Sequence, residues 1–519
     1  MKKYFAKLMM GLGIVAGGFM IACDDIDPAI DSLNFDRLFA PIGVEASITN
    51  NINVNLSWKT VQGAESYIVE IYKDSLLFDA ANLVYRGETT DTKFTYTLQS
   101  DTRYSAQIKA VSSSTNESKW YNITFLTEVP DIYLASEIGD LGADFATLRW
   151  PVEAIATKIS LSPASSSSGI AVSRSLTDTE IASGIAKVEG LTPGNRYNAI
   201  LYSGTQKISK REITTLNDGT IVLDPSDDLL AEIANAKSGA TLLLKPGEYL
   251  SGGSRVTIDK NLTITSYGEN YRPVIHAHFD VGVINSFTLK DVTLEGTKSS
   301  GVLDNVIQFS TAGNIGTITM DGCRIDNYNK SFISAVSPAI KVESIVINNS
   351  VISNVLTNSA DFIDIRGGLI KNLALTNSTF YNCAPARDFI RLDETSSTFP
   401  SQTSNVVINN CTLDGVANST SRSILCVRFT TNVMTVSNSI ITNTAGTFAR
   451  YALSSQPICS KNNYFNASGL LVGGSTIADA KFDISGTQTT LDPGYANAAA
   501  GDFTVTNKSV TVGDPRWIK

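Results

Sequence analysis

Charge is scarce in this chain of 519 residues. Asp, Glu, Lys and Arg together make up 18%, against roughly a quarter in a typical globular protein. Histidine is scarcer still, with two residues, His276 and His278. Apart from Cys23, the cysteines are Cys323, Cys383, Cys411, Cys426 and Cys459, all in the C-terminal half. They form no Cys-x-x-Cys and no Cys/His pair at zinc spacing, which excludes the common structural zinc modules. They read instead as small buried apolar residues. No apolar run beyond residue 22 is long enough to span a membrane. The net charge of −9 argues against nucleic acid as a partner.

What the sequence does have begins at its start. "MKKYFAK" is basic, and "LMMGLGIVAGGFMIA" (8–22) is an apolar run of 15 residues. That is short for a membrane span and suits the core of a signal peptide. The run stops at Cys23, directly after Ala22. Residues 1–22 resemble a bacterial lipoprotein signal peptide, which implies that Cys23 is lipidated and becomes the first mature residue. Asp24 and Asp25 resemble the surface-export signal of Bacteroidetes lipoproteins. Loss of Lys2, Lys3 and Lys7 would take three positive charges from −9, leaving −12. The expected location is the cell surface, anchored to the outer membrane by several lipid chains. Residues 23–37, rich in Asp, form a spacer.

Residues 38–128 alternate short apolar-polar strands with turns. "VNLSW" (54–58), "SYIVEIY" (66–72) and "DTRYSAQIKAV" (101–111) have the period of half-buried strands. Trp58, Tyr67 and Tyr104 resemble the marks of a fibronectin type III sandwich, which implies Trp58 in the core and Tyr104 at a tyrosine corner. Residues 129–215 repeat the scheme, with "ATLRW" (146–150) and "LTPGNRYNAILYS" (191–203) placing Tyr197 at the second corner.

From residue 217 the pattern changes. "SDDLLAEIANAKSGATLLLKPGEY" (226–249) predicts a short amphipathic helix, N-capped by Ser226 or Asp227, then a strand and a Pro-Gly turn. A repeat follows: "KDVTLEG", "DGCRIDN", "NSVISNV", "NSTFYNC", "NCTLDGV", "NSIITNT" and "NNYFNAS". From Asp291 its steps are 31, 27, 28, 33, 28 and 24 residues. Each unit holds two or three short strands and no helix, as one coil of a three-sheet solenoid would. Two Asn columns emerge. One is Asn349, Asn377, Asn410, Asn438 and Asn462. The other is Asn327, Asn354, Asn382, Gly415 and Asn443. Asn tolerates the left-handed turn, and its amides can bond along the axis. These columns resemble the ladders of the pectate lyase superfamily. The expected fold over 217–519 is a right-handed parallel β-helix with an N-terminal capping helix, so the whole chain is all-β.

The strand before each Asn column stacks as "VIQFS", "FISAV", "FIDIR", "FIRLD", "ILCVR" and "YALSS". Ile363 and Ile365, Ile390 and Leu392, Leu425 and Val427 point inward. The outward columns are then Gln308–Ser334–Asp364–Arg391–Cys426 and Ser310–Val336–Arg366–Asp393–Arg428. Arg387 and Asp388 enter the same region, and Asp361 takes the place of Asp388 one coil earlier. One reading is a surface salt-bridge ladder, each exposed pair contributing roughly 0–1 kcal/mol. The other is a groove for a carboxylated glycan, with Arg366, Arg387, Arg391 and Arg428 binding the substrate. A uronate lyase would need an Arg to neutralise the carboxylate and a base to take the adjacent proton. The candidates are Asp364, Arg366, Arg391, Asp393 and Arg428. No Lys lies in these columns, and Lys371 sits five residues past Arg366. His276, His278 and Asp280 share one face, and read as surface or structural residues apart from this cluster. Tyr249, Tyr271 and Tyr328 are candidates to stack on sugars.

The layout, with its final "GDFTVTNKSVTVGDPRW" (501–517), resembles Bacteroidetes lipoproteins encoded in polysaccharide-utilisation loci. That resemblance implies polysaccharide as the partner, alongside other glycan-uptake proteins of the outer membrane. The chain lacks the Asn-Gly-x-Glu signature of the chondroitinase B and alginate lyase family, and lacks the Asp-rich calcium cluster of pectate lyases. The expected function is a surface lipoprotein that binds an acidic polysaccharide across the β-helix, with no metal site and no cofactor. Two alternatives stand beside it: a polysaccharide lyase, for which calcium would be a fitting cofactor, and a structural or adhesion protein.

Overall fold

The computed structural model describes residues 36–519, apart from 75, 165–167, 269, 299–300, 357–358, 394–397, 400 and 430. The expected signal peptide, Cys23 and nearly all of the expected spacer lie outside the described residues. Among the described residues, no helix is long and apolar enough to cross a membrane.

The chain divides into two compact units, the first ending at Pro130. In that unit a sheet of Glu45–Thr49, Asn53–Ser57 and Lys93–Thr97 faces a second sheet. The second runs in the order Leu83–Thr89, Ser66–Tyr72, Arg103–Val111, Tyr121–Leu126. All neighbours are antiparallel. Alternation puts Val54, Leu56, Val69, Ile71, Ala106 and Ile108 in one core with Trp58, which meets Tyr67 edge-on at 5.3 Å. The Tyr104 hydroxyl accepts a bond from the backbone of Gln99, five residues back. This is the fibronectin type III-like sandwich with its tyrosine corner.

The second unit opens with a like sandwich. Phe145–Arg149 pairs with Ile185–Glu189, opposite a sheet ordered Val172–Ser175, Lys158–Pro163, Arg196–Ser203, Gln206–Thr214. Trp150 is in its core, and the Tyr197 hydroxyl accepts from Thr192 N at 2.8 Å.

A parallel β-helix follows. Its first rung is Thr220–Leu223, and the helix Leu229–Asn235 buries Leu229 and Ile233 over the open end. The cap is Asp228, whose carboxylate accepts from Leu230 N and Ala231 N, not Ser226 or Asp227. Asp227 accepts instead from Asp224 N, closing the preceding turn. Each coil then contributes a long strand, a short strand and a third strand. The long ones stack from Thr220–Leu223 through Ile340–Asn348, Leu369–Thr376 and Ser404–Asn409 to Ile458–Ser460. All are parallel, as one coil above the next requires. The interior is a continuous apolar column, and within it Phe332, Phe362 and Phe389 stack at 5.0 and 4.7 Å, close to the rung spacing of about 4.8 Å. The five cysteines of this half are buried and unbridged.

The corners explain the Asn columns. Asn349, Asn377, Asn410 and Asn438 have φ of 47, 50, 53 and 49°. The next member is Lys461, at 53°, not Asn462. Asn462 lies one position further on, in a buried column of hydroxyls. There Ser350, Ser378 and Ser439 each accept from the backbone one coil earlier, and Asn462 Oδ1 does the same for Ser439 N. The second column is as expected and runs one coil further, to Asn466. Amides bond along it: Asn382 to Asn354 at 2.7 Å and Asn466 to Asn443 at 3.0 Å.

Candidate functional site

The third strands form one row: Val274–Val281, Asn305–Phe309, Ser331–Ala335, Ile363–Arg366, Ile390–Asp393 and Leu425–Val427. Its register stacks Asp280, Gln308, Ser334, Asp364, Arg391 and Cys426 in one column. Arg366 stacks on Asp393 in the neighbouring column. Ile363, Ile365, Ile390, Leu392, Leu425 and Val427 all face the core.

The outward side chains are not an exposed ladder. The acids are buried, with Asp361 and Asp388 fully so, Asp393 at 2% and Asp364 at 9% exposure. Arginines lie over them. Arg366 donates to both oxygens of Asp364 at 2.8 Å. Arg391 donates to Asp393 Oδ2 at 2.9 and 2.5 Å, and to Asp361 Oδ2 at 3.2 Å. Arg387 bonds Ala360 O and sits 3.8 Å from Asp361. Arg428 lies 3.5 Å from Asp393 and donates to the Tyr451 hydroxyl at 2.6 Å. Sequence alternation reveals which face a side chain leaves by, but not that a second layer then covers it. Cys426 is buried for the same reason, and burial, with Asp388 adding to it, pushes its thiol up to about 12.

Two arginines escaped the sequence reading. Arg450 clamps Asp388 at 2.5 and 3.0 Å, and Arg422 reaches within 3.9 Å of it. The strand that stacks next after Ile424–Arg428 is not "YALSS". Ser423 bridges to Thr447, and Leu425 N bonds Phe448 O. Phe448 therefore follows Phe362 and Phe389 in the core, and Arg450 follows Asp364 and Arg391 outside it. The signal was a Phe two residues before each charged position. Tyr451 then falls under two guanidinium groups, with Arg428 and Arg450 centred 4.2 and 5.0 Å from its ring.

The cluster holds six arginines and four aspartates. Burial disfavours the charge on Arg391, but Asp393 and then Asp361 outweigh it and hold its pKa above the ordinary value. Burial likewise opposes the charge on Arg450, and Asp388 outweighs it. Asp361 is pushed up by burial first, then by Asp364 and Asp388. Asp393 Oδ1, Arg422 Nε and Arg428 Nε are buried and meet no protein partner among the described residues.

The other candidates disperse. Lys371 is around the corner on the long-strand sheet, paired with Glu343 at 2.6 Å. Tyr249 and Tyr328 are core residues at 1% exposure, and Tyr271 is exposed at 55%. His276 donates its Nδ1–H to Thr297 O at 2.7 Å, while His278 is buried beside Asp280 at 3.2 Å. Burial first, then Arg255, hold His278 below the ordinary histidine value. The sequence reading set His276, His278 and Asp280 apart from the Arg cluster, and the structure corrects it. Their strand belongs to the same row, with Asp280 three rungs before Asp364, roughly 14 Å. No group of His, Cys, Asp or Glu among the described residues is arranged to hold a metal ion.

Two sequence families match the solenoid. Domain of unknown function (DUF4957) covers residues 247–383, and Domain of unknown function (DUF5123) covers residues 406–517. Among solved structures, a two-domain fibronectin type III segment from chicken tenascin is 18% identical, covering 34% of this chain and 99% of its own, with a TM-score of 0.24. The fn3 domain of human contactin 1 is 17% identical over 22% of this chain and 95% of its own, with a TM-score of 0.16. No curated protein matches the chain. The chain thus carries fibronectin type III-like sandwiches followed by a β-solenoid, which offers an extended side face.

Proposed function

We propose that this protein is a cell-surface lipoprotein that binds an acidic polysaccharide across the Arg-rich row of its β-helix. The supporting observation is the surplus of guanidinium groups over buried carboxylates. Asp364, Asp388 and Asp393 each take two bonds from one arginine. Arg387, Arg422 and Arg428 keep donors that no acid of the cluster fills. Arg366 and Arg428 remain 50% and 33% exposed, so a ligand can reach them. A guanidinium fork suits a carboxylate, and a row of them along a solenoid suits a chain of carboxylated sugars. Lipidation at Cys23 would hold the protein at the outer membrane, beside other glycan-uptake proteins.

A lyase reading rests on one atom, Asp393 Oδ1, which is buried and unpaired among the described residues. It would serve as the base while Arg391 and Arg428 neutralise the uronate.

The full-length chain would be run in affinity gels containing pectin, alginate or a glycosaminoglycan, with neutral glucan as control. Retardation by an acidic glycan alone, weakening with salt and reduced about tenfold by the Arg387→Ala/Arg428→Ala double variant, is the expected result. Equal mobility in all gels would reject the reading. Ultraviolet absorbance from an unsaturated product would move it to the lyase. Cys23→Ala should release the protein from the membrane fraction.

A further inference from the structure

A second recess lies on the face built by the short strands. It is a cleft of about 480 Å³ between Thr293–Glu295, Arg324–Asp326 and Val351–Ser353 on one side and the C-terminal segment on the other. That size falls within the roughly 300–1,000 Å³ of small-ligand sites. The far wall is firmly seated. Asp514, 1% exposed, accepts from Thr379 Oγ1 at 2.7 Å, and the Trp517 indole donates to the same hydroxyl at 2.7 Å. Phe503 packs on Tyr381 and Trp517 at 5.2 and 6.2 Å.

Three arginines from separate parts of the chain line this cleft: Arg272, Arg324 and Arg516. Arg272 donates its Nε to Gly322 O, and Arg516 pairs with Asp514 at 3.2 Å and donates to Asn349. Arg324 is exposed and has no ion pair or side-chain hydrogen bond among the described residues. Each acid at the rim commits one carboxylate oxygen to an internal bond. Glu295 accepts from Asn327 and from Thr297 N, Asp326 from Ser353 and Asn354, and Asp502 from Thr504 N. Burial keeps Arg516 below the ordinary arginine value; Asp514 opposes this, while Arg272 and Arg324 add to it. Arg272 and Arg324 have no carboxylate within ion-pair distance among the described residues, so an anion in the cleft would answer charges that the rim acids leave unpaired. Trp517 adds a fixed aromatic face, which suits the apolar face of a sugar ring.

We propose that this cleft binds a single sugar-acid unit, its carboxylate held by Arg324 and Arg516 and its ring against Trp517. The site is separate from the mid-solenoid row and stands whether or not that row binds glycan. Two such sites on different faces would let one molecule hold a chain along its row and capture a second chain, or a chain end, in the cleft.

Titration of the full-length chain with D-galacturonate, followed by tryptophan fluorescence, tests this. The expected result is a saturable change that D-galactose does not produce. It should vanish in Trp517→Phe, weaken about tenfold in Arg324→Ala, and persist in Arg387→Ala, which alters only the other face. The Arg324 side chain makes no hydrogen bond or ion pair among the described residues, and Ala keeps the backbone bond to Val292 O, so the substitution leaves folding intact. The same midpoint in Arg324→Ala, an equal response to galactose, or no saturable change by fluorescence and by calorimetry would each overturn the proposal.

Discussion

Arg450 holds Asp388 in a two-point clamp at 2.5 and 3.0 Å, across 62 positions of sequence. The carboxylate is fully buried and the guanidinium nearly so, with side-chain exposures of 0% and 13%. Such a pair contributes little net stability against an apolar replacement of both partners, yet breaking it from one side leaves a buried charge alone.

Arg450→Met should therefore destabilise the solenoid by about 3–5 kcal/mol, seen as a lower urea midpoint. Arg422, 3.9 Å away, is too distant to replace the clamp. Combining Arg450→Met with Asp388→Asn should cost less than the sum of the single changes. Strict additivity would mean that the two groups do not act as a pair.

The pH dependence of the cluster carries a definite sign. Unfolded aspartate titrates near 3.9, and burial raises Asp361 above that value in the folded state. Between the two values the folded chain binds more protons than the unfolded one, so stability falls as pH rises. The contribution of Asp361 is complete below about pH 4 and is lost as pH climbs through the raised value. Asp361→Asn cannot titrate. The stability of the variant relative to the natural chain should thus improve steadily from acid toward neutral pH, as followed by denaturation at several pH values. A trend in the opposite direction would refute the shift.

The corner amides make a third test. Asn382 sits at φ 54° and donates to Asn354 at 2.7 Å. Asn382→Ala loses that bond and keeps a left-handed backbone that Ala resists, for about 1–2 kcal/mol together. Asn382→Gly loses the bond alone, and its neighbour in the column, Gly415 at φ 68°, already does without it. Thermal melts should rank the natural chain first, then Gly, then Ala.

The repeat was legible because the corners are chemically strict. A left-handed turn every coil admits Asn or Gly with ease, so the residue types survive in the text. Lys461 marks the limit of that logic, since one corner accepts a Lys and the Asn beside it serves a different column. The register of Asp364 on Arg391 and Arg366 on Asp393 was legible from the alternation of Ile and charge. Arg450 was not, because the loop before it changes length and "FAR" carries one apolar residue fewer than "FIRLD" to align on. Nor could alternation reveal depth. Facing outward means leaving the core, and the acids that leave it here are covered by arginines from neighbouring coils.

The C-terminal segment has a consequence for how the solenoid fails. Arg516 reaches Ser350 and Asn349, Asp514 reaches Thr379 and Thr412, and Gly513 N bonds Asn438 O. Four successive rungs are thus laced by one strap. A stack of coils held only by nearest neighbours can fray from its end, one unit at a time. Lacing makes those four open together or not at all, and it does so only after the ribosome has delivered residues 513–516. Until then the growing stack is a row of separate steps; afterward it is a single cooperative block.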